Sequence, residues 1–234
     1  MDSKKNVIIV GESNSLKSRI IIEYFLYDLA IGKYNLTVAC HGPSSGIFVD
    51  YIKKNNIDLC FVSSDLTIAE FPFLSEMNKD VCFVLAGWPY IVKKDFINNF
   101  PSRVINCHGS YLPDYKGSRA YMHYWANIED YYGVSIHYVS ESLDEGRLIK
   151  QVKIKQFIEE NPVMIHRRMA EFTGLILDSS LELVFSGYEG VVQEGVGRYF
   201  QKISKDEFYS VRKHNEKSDV NNKIQTPHSE IIGN

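Results

Sequence analysis

The sequence predicts an α/β fold, a twisted and mostly parallel sheet with helices on both faces. Short apolar runs rich in β-branched residues alternate along the chain with longer amphipathic segments, which is typical of strands that alternate with helices. A long segment beginning at Asn161-Pro162 has apolar residues at helical spacing, which predicts a helix that packs on the sheet. With 234 residues and 44% hydrophobic content, the chain is long enough for one domain and an appendage.

Four apolar runs supply the first part of the predicted sheet. These strands are expected at residues 6–10, 36–40, 57–62 and 81–86. A helix is expected between the first two strands, capped by Ser13 or Ser15 and reaching about Ile31, and a shorter one at 47–55. Phe71-Pro72 marks a loop before the fourth strand.

The turn after the first strand leaves two interpretations open. Backbone amides of Gly11, Ser13 and Asn14 could bind a phosphate at the start of the helix, or the segment is a plain turn. Because it lacks the remaining glycines of a dinucleotide-binding fingerprint, the segment alone does not decide between them.

The functional argument depends on the residues that follow a fifth apolar run, Arg103-Val104-Ile105. Asn106 and His108 should lie at the carboxyl end of that strand with side chains on one face, where ligands bind in open α/β sheets. An Asn amide can donate to a developing oxyanion, and an imidazole can transfer a proton near neutral pH. The alternative interpretation is that Asn106 caps a turn and His108 is a satisfied, partly buried histidine.

The second half of the chain completes the sheet. Helices are expected at residues 92–99 and 118–128. Alternating apolar residues predict paired strands at 133–139 and 149–154, joined by a loop that carries Asp144. If that loop folds back over Asn106 and His108, its carboxylate can orient the imidazole; otherwise Asp144 is a turn or cap residue.

A core domain is predicted for residues 1–187, followed by a carboxyl-terminal extension at 188–234. Glycines end the long helix, and the segments 191–193 and 198–200 predict a short hairpin in the extension. The polar sequence after Lys213 predicts a loose tail.

Composition excludes several classes of function. A net charge of −3 with both signs interspersed gives no electrostatic footprint for nucleic acid. No apolar run approaches a membrane span or a signal-peptide core, so a cytoplasmic protein without a membrane partner is expected. The four cysteines form no Cys-x-x-Cys, and Cys107 should point away from His108, so neither a disulfide nor a zinc site is expected.

A longer pattern resembles a known family. Its residues are Asn106-x-His108-x-Ser110-x-Leu112-Pro113-x-Tyr115-Lys116-Gly117, with Asp144 placed 36 residues after His108. This pattern resembles the signature of the 10-formyltetrahydrofolate-dependent formyltransferases, over about residues 81–151. The resemblance implies a Rossmann-like core that transfers a formyl group from 10-formyltetrahydrofolate, as co-substrate and without a metal, to a primary amine.

The resemblance also implies a role for each group of residues. His108 would take the amine proton, Asn106 would hold the oxyanion, and Asp144 would support the proton transfer. The folate would be bound by Trp88, Tyr90, Ile91, Val92, Val139, Ser140 and Glu141, although a lone Trp88 could instead close the core. The acceptor would be bound by Gly11, Ser13, Asn14, Ser110, Tyr115, Lys116 and Gly117. His137 is expected to support the site, and His123 is left unassigned.

The acceptor expected from the resemblance is a nucleotide-linked amino-dideoxy sugar. The segment from Gly195 to Phe208 resembles the short carboxyl-terminal hairpin of nucleotide-sugar N-formyltransferases, which often forms a dimer, so a homodimer is expected. The best-matched acceptors are dTDP-4-amino-4,6-dideoxyhexoses, used for O-antigen and other surface glycans. The alternatives are a glycinamide ribonucleotide formyltransferase and a non-catalytic folate- or nucleotide-binding module.

Overall fold

A computed structural model of the chain describes residues 4–28, 32–75 and 80–225. Nine strands are formed within these ranges: β1 Lys5–Glu12, β2 Tyr34–His41, β3 Asp58–Phe61, β4 Val81–Leu85, β5 Val104–His108, β6 Lys116–Gly117, β7 Tyr131–Tyr138, β8 Leu148–Lys155 and β9 Tyr199–Phe200. Seven of them form one sheet in the order β3-β2-β1-β4-β5-β7-β8. The first five strands of this order pair in parallel, and β7 and β8 are antiparallel. The predicted α/β fold with a mostly parallel sheet is confirmed.

The helices lie between these strands and after them. They are α1 Leu16–Asp28, α2 Ile47–Lys54, α3 Lys94–Asn99, α4 Ala120–Ala126, α5 Pro162–Phe185 and α6 Lys205–Gln225. The loop predicted at Phe71-Pro72 contains two short 3-10 segments. The helix predicted at 118–128 is shorter, because Arg119 and Ile128 have positive φ values of 58° and 53°, outside the helical region. None of the described helices is long and apolar enough to cross a bilayer.

Helix α5 begins where the sequence predicts and covers one face of the sheet. The Asn161 side chain accepts hydrogen bonds from the amides of Val163 and Met164, both at 3.0 Å, and Pro162 occupies the first turn. Gly174 lets α5 approach α1 closely, since a Cβ there would lie 2.6 Å from the Ile21 carbonyl oxygen. This helix pair and the sheet share the largest hydrophobic cluster, and an aromatic cluster around Phe83 covers the other face.

The carboxyl-terminal hairpin predicted from residues 191–193 and 198–200 does not form. Val191 instead makes an isolated antiparallel bridge to Leu148, and β9 pairs in parallel with β6. Each arm thus pairs with a different part of the core. Local alternation of apolar residues predicts that a segment is extended but does not identify its partner.

The prediction of a loose tail after Lys213 is wrong as far as Gln225, because α6 continues to that residue. Ser204 and Glu207 cap the start of α6 reciprocally. Phe208 is fully buried against α4, and Arg212 donates a hydrogen bond to the Trp125 carbonyl at 2.7 Å. These contacts hold a helix whose own sequence is strongly polar. The rest of the predicted tail, 226–234, lies outside the described residues.

Candidate active site

The carboxyl end of β5 presents two polar side chains to a cavity and one thiol to the core. Asn106 and His108 line the cavity, and Cys107 packs within the large hydrophobic cluster. Burial raises the pKa of the Cys107 thiol to about 12, so this cysteine is protonated at neutral pH. The alternation along the strand therefore separates the two polar groups from the cysteine between them.

Asp144 lies directly beside His108, as the loop between β7 and β8 folds back over β5. Its Oδ1 is 3.3 Å from His108 Nδ1, and its Oδ2 accepts a hydrogen bond from the Gly117 amide at 2.9 Å. Both side chains are buried, with residue exposures of 8% for His108 and 7% for Asp144. Asp144 has a positive φ of 54°, which turns the chain within the loop.

His137 holds the Asn106 amide in a fixed orientation. Its Nδ1 lies 2.8 Å from the Tyr138 carbonyl, which places the ring proton on Nδ1. Nε2 therefore accepts a hydrogen bond from Asn106 Nδ2 at 3.2 Å. One amide N–H of Asn106 is thus used by His137, and the second remains for a ligand in the cavity.

Opposing effects set the charge of the two histidines. Burial lowers the pKa of His108, and the Lys17 ammonium lowers it further. The Asp144 carboxylate and the Tyr115 carbonyl raise this pKa, but the net effect is that it lies below its ordinary value. Burial and neighbouring His108 lower the pKa of His137 to about 4. Both imidazoles are therefore predominantly neutral near pH 7, as a general base must be before it accepts a proton.

His108, His137 and Asp144 also form a group that could hold a metal ion, with one ligand atom from each within 4.8 Å of the others. A metal at this position would displace the Asn106 amide from His137 Nε2 and compete with the His108–Asp144 contact. Hydrogen bonding already uses these atoms, so the geometry suits proton transfer better than metal binding. The absence of a metal stays a prediction.

The cavity around these residues has a volume of about 590 Å³ and extends to both sides of the Asn106–His108 pair. One end is formed by the loops after β4 and β7, where His41 packs edge-on against Tyr90 at 5.0 Å. All seven residues expected to bind folate line the cavity: Trp88, Tyr90, Ile91, Val92, Val139, Ser140 and Glu141. The indole Nε1 of Trp88 is buried without a hydrogen-bond partner among the described residues.

The structure does not place the turn after β1 in the cavity lining. The amide and the hydroxyl of Ser13 both donate to the His41 carbonyl, each at 2.9 Å, and the Ser13 carbonyl accepts from Phe48. A Cβ at Gly11 would lie 2.7 Å from the Ser18 hydroxyl, and Asn14 accepts from the Ile47 amide at 3.4 Å. Hydrogen bonds within the protein engage the Ser13 amide and hydroxyl and the Asn14 side chain, and the assignment of Gly11, Ser13 and Asn14 to acceptor binding stays a prediction.

Of the remaining residues assigned to the acceptor, Gly117 lines the cavity. Tyr115 is buried in an aromatic cluster, and its hydroxyl bonds Glu129 and Asn127. Ser110 is buried and donates to the Asp114 carbonyl at 2.9 Å, and Lys116 pairs with Glu145 at 3.0 Å. The side chains of Tyr115, Ser110 and Lys116 therefore shape the motif loop. Tyr115 contacts the site only with its backbone carbonyl, which lies 3.3 Å from His108 Nε2.

The site also contains residues that the sequence analysis does not identify, and two that contact its backbone are described here. Lys17, in the first turn of α1, donates from Nζ to the Cys107 carbonyl at 2.8 Å and lines the cavity. Gln193, in the carboxyl-terminal extension, donates from Nε2 to the carbonyls of Asp144 and Gly146, both at 2.8 Å. Neither belongs to a local motif, so no sequence signal distinguishes them from surface residues.

Known proteins resemble this chain in sequence and in fold. A family model described as formyl transferase matches residues 61–180, just over half of the chain. Phosphoribosylglycinamide formyltransferase of Escherichia coli (strain K12) is 35% identical over 74 residues, 32% of this chain and 35% of that protein. Formyltetrahydrofolate deformylase of Bacillus subtilis (strain 168) is 32% identical over 101 residues, 43% of this chain and 32% of that protein. The chain thus spans about a third of each of these relatives.

Solved structures with the same fold are more distant in sequence. Phosphoribosylglycinamide formyltransferase from Streptococcus pneumoniae TIGR4 superposes with a TM-score of 0.64 at 20% identity, covering 77% of this chain and 99% of that chain. The N-formyltransferase from Helicobacter canadensis, in complex with folinic acid and dTDP-3-aminofucose, has a TM-score of 0.64 at 18% identity, covering 89% of this chain and 79% of that chain. At these identities the similarity establishes the fold alone.

Proposed function

The chain belongs to the formyl transferase family, and from that premise we propose that it transfers the formyl group of 10-formyltetrahydrofolate to the amine of a nucleotide-linked amino-dideoxy sugar. The observation that carries the proposal is the contact between His108 and Asp144, with the Asn106 amide beside it at the middle of the cavity. A base, a group that orients it and an oxyanion donor are the parts that acyl transfer to an amine requires.

In the mechanism we propose, the acceptor amine attacks the formyl carbon and the formyl oxygen becomes an oxyanion. The free N–H of Asn106 donates to that oxygen. Asp144 holds the His108 proton on Nδ1, so Nε2 takes the proton lost by the amine, and the Tyr115 carbonyl becomes a hydrogen-bond partner for the protonated Nε2. The same proton passes to the folate nitrogen as its bond to the formyl carbon breaks, which releases tetrahydrofolate and the formamide.

Two aromatic side chains support the assignment of one end of the cavity to the folate. Trp88 and Tyr90 lie edge to face at 5.1 Å and provide an aromatic wall. Family neighbours solved with folinic acid and with 5-N-formyl-THF bind folates of this kind. We therefore propose that this end receives the pterin.

Folinic acid should quench the tryptophan fluorescence of this protein, because the ligand would contact Trp88. The chain has two tryptophans, and Trp125 packs under Arg212 and Tyr209 away from the cavity, so it provides a matched control. We expect quenching in the wild type and in Trp125→Phe, and a loss of the response in Trp88→Phe. Binding should also raise the melting temperature by linkage. Equal quenching in both variants would contradict the pocket assignment.

The acceptor is proposed from a combination of family and structural likeness. The Helicobacter canadensis enzyme was solved with dTDP-3-aminofucose, and a dTDP-4-amino-4,6-dideoxyhexose for O-antigen or another surface glycan is the acceptor we favour. Glycinamide ribonucleotide is the second candidate, because the Escherichia coli relative acts on phosphoribosylglycinamide by name. The expected homodimer stays a prediction. The hairpin on which that prediction was based does not form, but Val196 and Tyr199 are exposed, at 96% and 57%.

The function is tested by offering the protein 10-formyltetrahydrofolate with each acceptor in turn. The panel contains dTDP-linked 3-amino and 4-amino dideoxyhexoses, glycinamide ribonucleotide and no acceptor. Tetrahydrofolate release is followed by absorbance and the formylated product by mass spectrometry. We expect turnover with a dTDP-amino sugar. Turnover with glycinamide ribonucleotide alone would select the second candidate, and formate release without an amine would indicate a deformylase.

Gln193→Leu should lower turnover by about tenfold, because it removes the hydrogen bonds to the carbonyls of Asp144 and Gly146 and thereby misplaces the Asp144 carboxylate. The dissociation constant for folinic acid should not change, since Gln193 is outside the cavity lining. Initial rates and fluorescence titrations separate the two effects. The control is Gln201→Leu, at an exposed glutamine of the same extension. Unchanged turnover in the Gln193 variant would show that the loop keeps its geometry without this contact.

A further inference from the structure

The carboxyl-terminal extension pairs with the segment of the motif loop that contacts the catalytic side chains. β6 and β9 form a two-stranded parallel sheet apart from the main one. The Lys116 amide donates to the Arg198 carbonyl at 3.0 Å, and the Ser118 amide donates to the Phe200 carbonyl at 3.4 Å. Among the described strands, β9 is therefore the sole strand partner of this part of the loop.

Two glycines let the extension and the loop approach each other closely. A Cβ on Gly117 would lie 2.5 Å from the Phe200 carbonyl oxygen, and Gly117 has a positive φ of 97°. On the extension side, a Cβ on Gly197 would lie 2.7 Å from the Pro113 carbonyl oxygen. Backbone meets backbone at both positions, so a displacement of the extension would displace the loop.

The Tyr115 ring is held in place by aromatic neighbours on both sides of the contact. It stacks on Phe200 at 4.4 Å with an interplanar angle of 8°, and it packs on Tyr124 at 4.0 Å. The Tyr115 backbone has a positive φ of 57°, which a bulky residue rarely adopts. Such a conformation persists where the surrounding structure determines it. The stack with Phe200 is therefore part of what sets the Tyr115 backbone.

The loop held in this way supplies a backbone contact to each member of the catalytic pair. The Tyr115 carbonyl lies 3.3 Å from His108 Nε2, and the Gly117 amide donates to Asp144 Oδ2 at 2.9 Å. In the proposed mechanism, the carbonyl accepts from the protonated imidazole and the amide orients the carboxylate. A displacement of about 1 Å in such groups is enough to slow a reaction strongly.

We infer that Phe200 is a positioning residue for formyl transfer, which acts through Tyr115 and Gly117 on His108 and Asp144. The inference rests on the proposed function and goes beyond it. It makes the catalytic pair depend on a residue outside the segment 61–180 that matches the family model. Phe200 is not among the described residues that line the cavity, so its effect on the reaction is indirect.

The first test compares turnover in Phe200→Ala, Phe200→Tyr and Phe208→Ala. Phe200→Ala should lower kcat by about tenfold or more and leave the folinic acid dissociation constant unchanged, because the folate end of the cavity is untouched. Phe200→Tyr keeps the stacked ring and should restore most of the rate. Phe208→Ala is the matched control, at a buried phenylalanine of the same extension that packs on α4. It should lower the melting temperature but not the kcat of the folded protein.

A second test measures the pKa of His108 by NMR and does not require turnover. The ring resonances are assigned from their loss in His108→Asn. The charged and titratable groups that face His108 are Lys17 on α1, His137 on β7 and Asp144 in the loop after it. The Tyr115 carbonyl stabilises the protonated ring and raises this pKa, so its displacement in Phe200→Ala should lower the pKa. A loss of stability alone would not move it.

Unchanged kcat and unchanged His108 pKa in Phe200→Ala would overturn the inference, as would an equal loss of kcat in Phe208→Ala. If Phe200→Ala does not fold, Gly197→Ala decides, because its Cβ would displace the same loop. If the wild type formylates no amine and the His108 pKa still falls in the variant, the positioning role stands and the proposed function falls. If the wild type formylates a dTDP-amino sugar and the variant matches it in kcat and pKa, the function stands and the positioning role falls.

Discussion

Replacement of His108 by asparagine should lower turnover by about a hundredfold or more, the usual scale for removing a positioned proton-transfer group. Asparagine retains a polar side chain in a site already surrounded by hydrogen-bonding partners, so the fold should survive. The measurement is the rate of tetrahydrofolate release at saturating folate and acceptor. His123→Asn is the control, at a buried histidine outside the cavity that contacts the Gln201 carbonyl at 3.2 Å. Near-wild-type turnover in the folded His108 variant would contradict the proposed mechanism.

The pH dependence of the same reaction provides a second check on His108. A general base works in its neutral form, and burial lowers the pKa of His108 below its ordinary value near 6.5. Activity attributable to His108 should therefore persist as the pH falls to 6.5 and decline only at lower pH, as the imidazole becomes protonated. This acid limb should be absent from the residual activity of His108→Asn. An acid limb of the activity profile centred above pH 6.5 would show that a group other than His108 titrates.

The features that the sequence predicts well are those fixed by neighbours along the chain. The period of two in a strand determines that Asn106 and His108 share a face, and the start of α5 follows from Asn161 and Pro162. The loop after β4 leaves a parallel strand at its carboxyl end, so Trp88 and Tyr90 reach the cavity for the same geometric reason. These predictions need only local periodicity and the polarity of a parallel sheet.

The features that it misses depend on partners distant in the chain. Tyr115 lies within the motif but turns into an aromatic cluster, where it stacks on Phe200 at 4.4 Å. The extension that supplies Phe200 also supplies Gln193, which reaches back to Asp144. Lys17 occupies an ordinary position in the first turn of α1, and only the packing of α1 on the sheet brings its ammonium to the Cys107 carbonyl. Periodicity contains no information on such pairings, which arise from tertiary packing.

Asp144→Asn should reduce turnover by about a hundredfold or more, although it changes a single atom of the side chain. The wild-type Oδ1 faces His108 Nδ1 at 3.3 Å, which keeps the proton on Nδ1 and leaves Nε2 free to accept the amine proton. In the variant, the amide oxygen can still accept from the Gly117 amide, and this turns the NH2 group toward His108. Nδ1 then accepts, the proton moves to Nε2, and the base is blocked.

The expected signature of Asp144→Asn is a lower kcat with unchanged folinic acid affinity, because Asp144 acts on His108 and the aromatic wall is untouched. Initial rates and fluorescence titration with folinic acid measure the two quantities. Asp114→Asn is the matched control, since Asp114 belongs to the motif loop but is exposed and pairs with Arg198 at 3.4 Å. A variant at Asp144 that folds and turns over as fast as this control would show that His108 does not need the carboxylate. A variant with weakened folate binding would show that Asp144 contributes to folate binding as well as to His108.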